Sequence, residues 1–193
     1  AYTKGHLILN KLNLKVTPGA ITTLMGANGS GKSTLLKILS RQMKPSRGRC
    51  LLHGKDIFSY PPKDYARELG IVHQQNRIIG DLKVKDYVSY GRNPYVKPLQ
   101  KYSAEDMEEI DRAMEMTGIT ELAQREIRTL SGGQKQRVFI AMAVAQCSDI
   151  LLLDEPTTYL DIKYQLEILR LVKKINEERN KTIVMGLHDI MQG

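Results

Sequence analysis

The chain has 193 residues, of which 41% are hydrophobic and 26% charged, a composition that fits a folded globular protein and excludes collagen-like and disordered classes. The longest uninterrupted apolar run, residues 138–145, is far too short to cross a bilayer, and no charged-then-apolar leader opens the chain. The net charge is +8, with +9 in residues 1–60 and −1 in residues 61–193. The basic part suits a polyanionic ligand or an anionic membrane surface, and the lack of an aromatic binding platform disfavours nucleic acid.

The first part of the chain predicts short strands, then a glycine-rich loop that opens a helix. Residues 7–16 predict two strand segments, residues 17–19 a turn and residues 20–25 an apolar strand. The strand leads into Gly26-Ala27-Asn28-Gly29-Ser30-Gly31-Lys32-Ser33-Thr34, which fits the phosphate-loop pattern G-x-x-x-x-G-K-[ST] at every fixed position. Residues 32–42 predict the helix that this pattern requires after its loop.

This loop carries the chemistry of a nucleotide site. Its glycines let backbone N–H groups turn towards phosphate oxygens without a Cβ clash, and the helix N-terminus adds partial positive charge. Lys32 would reach the β- and γ-phosphates, and the Ser33 hydroxyl would ligate Mg²⁺. A glycine-rich turn that merely caps a helix is the alternative, which the strand–loop–helix context disfavours. The predicted nucleotide-binding residues of the loop are Gly26, Asn28, Gly29, Ser30, Gly31, Lys32, Ser33 and Thr34.

The middle of the chain is predicted to be mostly helical. A short strand at residues 49–53 lies between two turns, and a helix over residues 61–67 with proline in its first turn leads to a strand at residues 69–73. Residues 83–91 and 104–117 then read as helices, the second with an acidic, solvated face.

A second glycine motif, Leu130-Ser131-Gly132-Gly133-Gln134, precedes another helical pattern. Ser131 is a candidate N-cap, and the two glycines expose the N–H groups of the first turn. A capped helix without a ligand is the simpler interpretation of this motif alone. However, the first loop can cradle a triphosphate by itself, so a second phosphate-facing motif needs another nucleotide or another chain. The pair of motifs therefore predicts an ATPase that works as a head-to-tail pair.

Residues 150–153 are four consecutive apolar residues, which predict a strand buried on both faces. Asp154 and Glu155 follow at its carboxyl end, where open α/β sheets bind ligands. Alone, such a pair is usually a solvated loop start; beside a phosphate loop, Asp154 would hold Mg²⁺ through water and Glu155 would orient or deprotonate the attacking water. An amphipathic helix over residues 162–178 and a strand over residues 181–187 complete an α/β fold, in which a mostly parallel, doubly wound sheet lies beside a small antiparallel one.

Taken together, the phosphate loop, the Leu-Ser-Gly-Gly-Gln string and the Asp-Glu pair about twenty residues after it make the chain resemble the ATP-binding subunit of an ABC transporter over nearly all its length. The resemblance implies a P-loop NTPase fold of the ABC ATPase type, with a mostly parallel sheet, a small antiparallel β subdomain and a helical subdomain at residues 76–128. We expect one ABC ATPase domain over residues 1–193, shortened at both ends, because the chain lacks the opening strand before Tyr2 and stops just past His188.

The resemblance also implies roles for single residues. Gln74 would contact Mg²⁺ and relay its state to a membrane partner, with Gln75 as the alternative one position on. Residues 131–134 would meet the γ-phosphate of ATP held by the other subunit. Asp161 would cross the dimer interface, and Tyr2 would stack on adenine unless it is only a frayed terminal residue. The implied catalytic residues are Lys32, Gln74, Glu155 and His188, of which His188 senses the γ-phosphate, and the implied Mg²⁺ ligands are Ser33, Gln74 and Asp154.

The function implied by this resemblance is ATP hydrolysis with Mg²⁺, coupled to transport across a membrane. The implied partners are a second ATP-binding subunit, integral membrane permease subunits and, indirectly, an extracytoplasmic substrate-binding protein, with the chain at the cytoplasmic face of the cell membrane. Cys50 and Cys147 lack metal-ligand spacing and predict reduced thiols, as in the cytosol. Residues 90–95 and 154–162 are similar to importers of iron–siderophores, haem and cobalamin, and predict import of such a chelate.

Four alternatives stay open at the level of sequence. ABC-type ATPases of DNA repair carry a long coiled-coil insertion, whereas residues 76–128 lack a sustained heptad repeat. Translation-associated ATPases normally carry two sets of these motifs, and this chain has one. A nucleotide-binding module without activity is disfavoured because Glu155 and His188 are both present. An exporter usually fuses this domain to membrane helices, and the chain shows none.

Overall fold

The structure is a computed structural model that describes residues 8–27, 29–74, 76, 80–97 and 99–187. Within these residues the strands are β1 (Ile21–Met25), β2 (Leu51–Leu52), β3 (Lys55–Asp56), β4 (Leu69–Val72), β5 (Ile150–Asp154) and β6 (Thr182–Leu187). The α-helices are α1 (Lys32–Leu39), α2 (Pro62–Glu68), α3 (Val84–Ser89), α4 (Ala104–Thr117), α5 (Gly132–Ala145) and α6 (Ile162–Arg179). No helix in this part of the chain has the length and apolarity needed to span a membrane.

The main sheet is parallel and follows the order β1-β6-β5-β4. The register pairs Leu24 with Gly186 and Gly186 with Asp154, and it pairs Leu153 with Val72. Because parallel strands all end at the same edge, the residues that follow β1, β4 and β5 come together there. The antiparallel pair β2–β3 forms a separate two-stranded sheet. The predicted α/β class is therefore confirmed.

Consecutive apolar residues in β5 face opposite sides of the sheet. Leu151 and Leu153 pack into the larger core cluster with α3, α4, α5 and α6, whereas Leu152 packs with Leu36 of α1 and Val184 of β6. A strand covered by helices on both faces needs apolar residues at every position, because successive side chains point in opposite directions. This requirement explains why residues 150–153 read as a continuous apolar run.

The prediction of two strand segments in residues 7–16 is wrong for residues 8–16, which form no strand. Leu12 and Leu14 alternate with polar residues, but their side chains are 53% and 42% exposed, and no described residue supplies a hydrogen-bonding strand beside them. The small antiparallel sheet is built from residues 51–56 instead. The helix expected over residues 32–42 ends at Leu39, because Arg41 adopts a left-handed φ of 61° that an α-helix cannot continue.

The stretch at residues 90–95 joins the α3–α4 region to α5. A Cβ atom on Gly91 would lie 2.2 Å from the carbonyl oxygen of Met142, so the 3₁₀ turn over residues 90–92 can press against α5 only with glycine there. The neighbouring Arg92 is buried, its Nη1 donates to the Ala145 carbonyl at 3.0 Å, and its guanidinium lies 4.0 Å from the centre of the Tyr95 ring. This stretch therefore has a packing role independent of any partner.

A buried ion pair completes this junction. Arg92 Nε donates to Asp106 Oδ1 at 2.8 Å, and Asp106 also forms a capping box with Ser103 at the start of α4. Burial alone would raise the pKa of Asp106. Hydrogen bonds from the Ser103 backbone N–H, the Arg92 guanidinium and the Ser103 hydroxyl, together with the Arg92 charge, outweigh burial and lower that pKa below its ordinary value. The carboxylate thus stays ionised and ties three segments together.

The substitution Asp106→Asn should lower the free energy of unfolding by roughly 3–5 kcal/mol, because it leaves a buried guanidinium without its charged partner. The matched control is Asp111→Asn on the same helix, whose carboxylate pairs with Lys85 but is 60% exposed, so its loss should stay below about 1 kcal/mol. Denaturant unfolding at neutral pH measures both variants, and equal losses would contradict this account.

The same comparison has a predicted pH dependence. A carboxyl group whose pKa is lowered by folding stabilises the protein above its unfolded pKa, and this contribution is lost as the pH falls through the folded value. The stability difference between the wild type and Asp106→Asn should therefore hold at neutral pH and shrink below about pH 4.

Candidate functional site

The phosphate loop connects β1 to α1, as the sequence predicts. Gly31 stands at the N-cap of α1 with a left-handed φ of 96°, and a Cβ atom there would lie 2.7 Å from the Leu9 side chain. The residue is therefore glycine for two reasons, its backbone conformation and this close contact. Gly31 has no side chain to cap the helix, so the first-turn N–H groups of α1 remain available to an anion.

Lys32 lies inside this loop and is only 8% exposed. Its Nζ donates to the carbonyl oxygens of Gly26 at 2.5 Å and Ala27 at 3.1 Å. These bonds hold the cation against the loop whose N–H groups would receive phosphate oxygens. Asn28, the other predicted loop residue beside them, lies outside the described residues.

Ser33 and Asp154 connect the loop to the end of β5. Ser33 Oγ donates to Asp154 Oδ1 at 3.0 Å, across 121 positions of sequence. The pKa of Asp154 is raised above its ordinary value, chiefly because the carboxyl group is buried. The Glu155 carboxylate raises this pKa further, whereas the hydrogen bond from Ser33 lowers it. A buried carboxylate next to a second carboxylate creates negative charge that a cation would neutralise.

The oxygen atoms of Ser33 and Asp154 fit the requirements of Mg²⁺. This ion prefers oxygen ligands, and at nucleotide sites it is usually held by one or two protein groups together with phosphates and waters. No group of three or more His, Cys, Asp or Glu in the described part of the chain could hold a metal by itself. The donor set is thus of the kind in which a bound nucleotide supplies the remaining ligands.

Glu155 is held in a strained conformation by several hydrogen bonds. Its φ of 52° lies in the left-handed region, which costs a residue with a long side chain of order 1–3 kcal/mol. Its N–H donates to the Gly186 carbonyl at 3.1 Å, and its own carbonyl accepts the Thr158 N–H at 3.2 Å. Its Oε2 accepts Gln74 Nε2 at 2.5 Å and Thr158 Oγ1 at 3.2 Å. The strain and these contacts together fix where the carboxylate points.

The phosphate loop, Gln74 and Glu155 line one cavity of about 610 Å³, a size common for small-molecule sites. It is lined by Ile8, residues 29–34, Gln74, Glu155, Thr158 and Tyr159. The structure thus brings the loop, Gln74 and Glu155 together from three parts of the sequence. None of the described residues that line the cavity belongs to the second glycine motif, residues 131–134.

The second glycine motif starts α5. Ser131 Oγ accepts the Gln134 N–H at 3.3 Å, and Gln134 Oε1 accepts the Ser131 N–H at 3.0 Å, so the predicted N-cap is present as a full capping box. A Cβ atom on Gly133 would lie 2.9 Å from the Tyr164 ring, whereas one on Gly132 would meet only Leu160, at 3.5 Å. Gly133 therefore packs closely against Tyr164 of α6, a contact that involves no ligand.

Asp161 has a structural contact of its own, because its Oδ1 accepts the Tyr164 N–H at 3.1 Å and caps α6.

Two residues near the site were not identified from the sequence. Thr158 bonds to Glu155 through a local turn, and Tyr164 packs on Gly133 from another helix; no motif marks either contact. The predicted residues Tyr2 and His188 lie outside the described residues.

Comparisons with known proteins agree with this geometry. The profile of the family described as "ABC transporter" matches residues 9–158. The "Probable siderophore transport system ATP-binding protein YusV" of Bacillus subtilis (strain 168) is 48% identical over 184 residues, which cover 95% of this chain and 67% of that protein. The "Iron(3+)-hydroxamate import ATP-binding protein FhuC" of the same organism is 47% identical, with 96% and 69% covered.

A solved structure is similar as well. The bacterial ABC transporter cassette MJ0796, solved as a dimer, superposes with a TM-score of 0.79 at 33% identity and covers 95% of this chain and 81% of that one. The same cassette has been solved as a dimer in a post-hydrolysis state bound to ADP and Pi, with a TM-score of 0.78.

The substitution Gly133→Ala should lower the free energy of unfolding by about 1–3 kcal/mol without nucleotide, because the new methyl group clashes with the Tyr164 ring. The control Gly132→Ala meets only an ordinary contact and should cost less than about 0.5 kcal/mol, since alanine also favours the helix. In a Tyr164→Ala background the cost of Gly133→Ala should largely vanish. Denaturant unfolding of the four variants tests this, and an unchanged cost in that background would refute the packing explanation.

Proposed function

The chain belongs to the ABC transporter family, whose ATP-binding proteins hydrolyse ATP to drive transport, and on this premise we propose that it energises the import of a metal chelate such as an iron–siderophore. The main structural support for ATP hydrolysis is the 3.0 Å hydrogen bond between Ser33 and Asp154. This bond places the phosphate loop next to the two carboxylates at the end of β5. The similar proteins named above are all transport proteins, so they give no support to the alternative functions in DNA repair or translation.

In the proposed ATP complex, the loop N–H groups and the α1 N-terminus bind phosphate oxygens. The Lys32 ammonium exchanges its carbonyl partners, Gly26 and Ala27, for the β- and γ-phosphates. Ser33, Gln74 and Asp154 would hold Mg²⁺, which when bound neutralises phosphate charge. Glu155, which is only 7% exposed, orients the attacking water or accepts its proton.

The second glycine motif is proposed to act on a second chain. It lies outside the lining of the cavity, so the γ-phosphate it contacts would be the one bound by a partner subunit. The segment that contacts this motif through Leu160 and Tyr164 also exposes apolar side chains, with Tyr159 85%, Ile162 76% and Leu166 51% exposed. Exposed apolar residues beside a polar motif fit a protein interface. We expect a homodimer in which residues 131–134 and Asp161 complete the partner's site, as the dimeric MJ0796 cassette suggests.

The proposed transporter also includes partners in and beyond the membrane. The names of the similar import proteins support pairing with integral membrane permease subunits at the cytoplasmic face of the membrane, and indirectly with an extracytoplasmic binding protein. Tyr2 on adenine, Asn28 in the loop and His188 at the γ-phosphate stay predictions from the sequence.

The substitution Glu155→Gln should reduce ATP turnover by roughly 10²–10⁴ fold, because the amide cannot accept a proton from water. Binding of MgATP should survive, since the phosphate loop is intact. The matched control is Glu177→Gln, an exposed glutamate on α6, which should keep wild-type turnover. Steady-state hydrolysis and calorimetric titration with MgATP measure both properties. Wild-type turnover in Glu155→Gln would remove Glu155 from the proposed mechanism.

The chelate substrate is tested in reconstituted membranes that contain the full-length protein and its permease. Because the ATPase reports cargo only through the permease, a binding protein loaded with an iron–siderophore, haem or cobalamin should stimulate hydrolysis. The same measurement with sugar- or amino-acid-loaded binding proteins is the control. Stimulation by these and none by a chelate-loaded protein would overturn the substrate class and leave the ATPase mechanism intact.

A further inference from the structure

We propose that Thr158 is a positioning residue that aims the Glu155 carboxylate during ATP hydrolysis. This inference rests on the proposed role of Glu155 as the residue that orients or deprotonates the attacking water. The observation behind it is that one carboxylate oxygen of Glu155, Oε2, accepts two hydrogen bonds, from Gln74 Nε2 at 2.5 Å and from Thr158 Oγ1 at 3.2 Å.

The two donors differ in how firmly they are placed. Gln74 is exposed and lies 81 positions away, just after β4, so its bond depends on how two separate loops are arranged. Thr158 belongs to the same turn as Glu155, since its N–H donates to the Glu155 carbonyl at 3.2 Å, three residues back. Its hydroxyl therefore stays within reach of the carboxylate as long as this turn keeps its shape.

The turn itself is held by the sheet. The Glu155 N–H donates to the Gly186 carbonyl of β6 at 3.1 Å, which fixes the left-handed φ of 52°. The backbone hydrogen bond thus fixes where the Glu155 side chain leaves the main chain, and the Thr158 hydroxyl constrains the position of the Glu155 carboxylate. Thr158 also lines the cavity, so the bond lies where the attacking water would be placed. A general base displaced by even about 1 Å can lose about 10²-fold in rate.

The test uses a substitution that changes only the hydroxyl. Thr158→Val keeps the shape of the side chain and should lower kcat about tenfold, the effect of losing one hydrogen bond to a charged group. KM and the affinity for MgATP should change less than about twofold, because the phosphate loop is untouched. Thr158→Ser restores the hydroxyl and should return kcat to within about threefold of the wild type.

The neighbouring Thr157 is a matched control. It shows no side-chain hydrogen bond to the described residues and is not among the residues lining the cavity. Thr157→Val should therefore keep kcat within about twofold. If Thr158→Val does not fold, Thr158→Ala, which adds no bulk, replaces it with the same expected fall in kcat and the same rescue by serine.

A double substitution separates this inference from the proposed function. If Thr158 acts only through Glu155, Glu155→Gln combined with Thr158→Val should turn over no more slowly than Glu155→Gln alone. Wild-type turnover in Glu155→Gln would reject the proposed role of Glu155. A large loss in Glu155→Gln with unchanged kcat in Thr158→Val would reject only the role of Thr158, as would a further tenfold loss in the double variant.

Discussion

The site depends on the parallel pairing of β1, β6, β5 and β4, because this pairing alone brings the separate functional segments to one edge. The phosphate loop follows β1, Gln74 lies two residues after β4, and Asp154 ends β5. The Ser33–Asp154 hydrogen bond at 3.0 Å is the direct contact between two of these segments. A slip of one residue in the β5 register would turn the carboxylates away from the loop, since side chains alternate between the two faces of the sheet.

The same edge concentrates unfavourable features that the rest of the fold stabilises. Asp154 is buried with a raised pKa, and Glu155 has a left-handed backbone. Hydrogen bonds from β6 and the following turn hold these residues in place. Such strain is common at functional sites, where a fixed geometry matters more than local stability. The buried ion pair between Arg92 and Asp106 instead connects the turn before α4 to the start of that helix.

Sequence reasoning succeeded where a local pattern has one structural meaning. The loop at residues 26–34 and the apolar run before Asp154 are of this kind, and α4 has the predicted bounds, because Ser103 caps one end and Gly118 the other. It failed for Leu12 and Leu14, whose alternation indicates a strand only if a neighbouring strand pairs with it. It also gave no warning that Leu166, at a helical spacing typical of a core face, is 51% exposed.

The contacts that sequence could not supply are tertiary. The packing of Tyr164 on Gly133 joins two helices, and the two donors on Glu155 Oε2 depend on the folded turn and on Gln74 from another loop. A motif names the residues that bind a ligand but not the residues that hold them in position. The sequence likewise gives both glycines of the second motif the same binding explanation, whereas the structure adds a packing contact for Gly133 and none of comparable closeness for Gly132.

In the proposed dimer, a single chain provides halves of two different sites, the phosphate loop of one and the second glycine motif of the other. The direct measurement mixes an inactive Lys32→Ala chain with an inactive Ser131→Asp chain; aspartate keeps the helix cap but repels the γ-phosphate. A mixed pair has one site with both defects and one with neither, so about a quarter of wild-type hydrolysis should return if pairs form at random. No recovery at any mixing ratio, with hydrolysis by the wild type strictly linear in protein concentration, would contradict the claim.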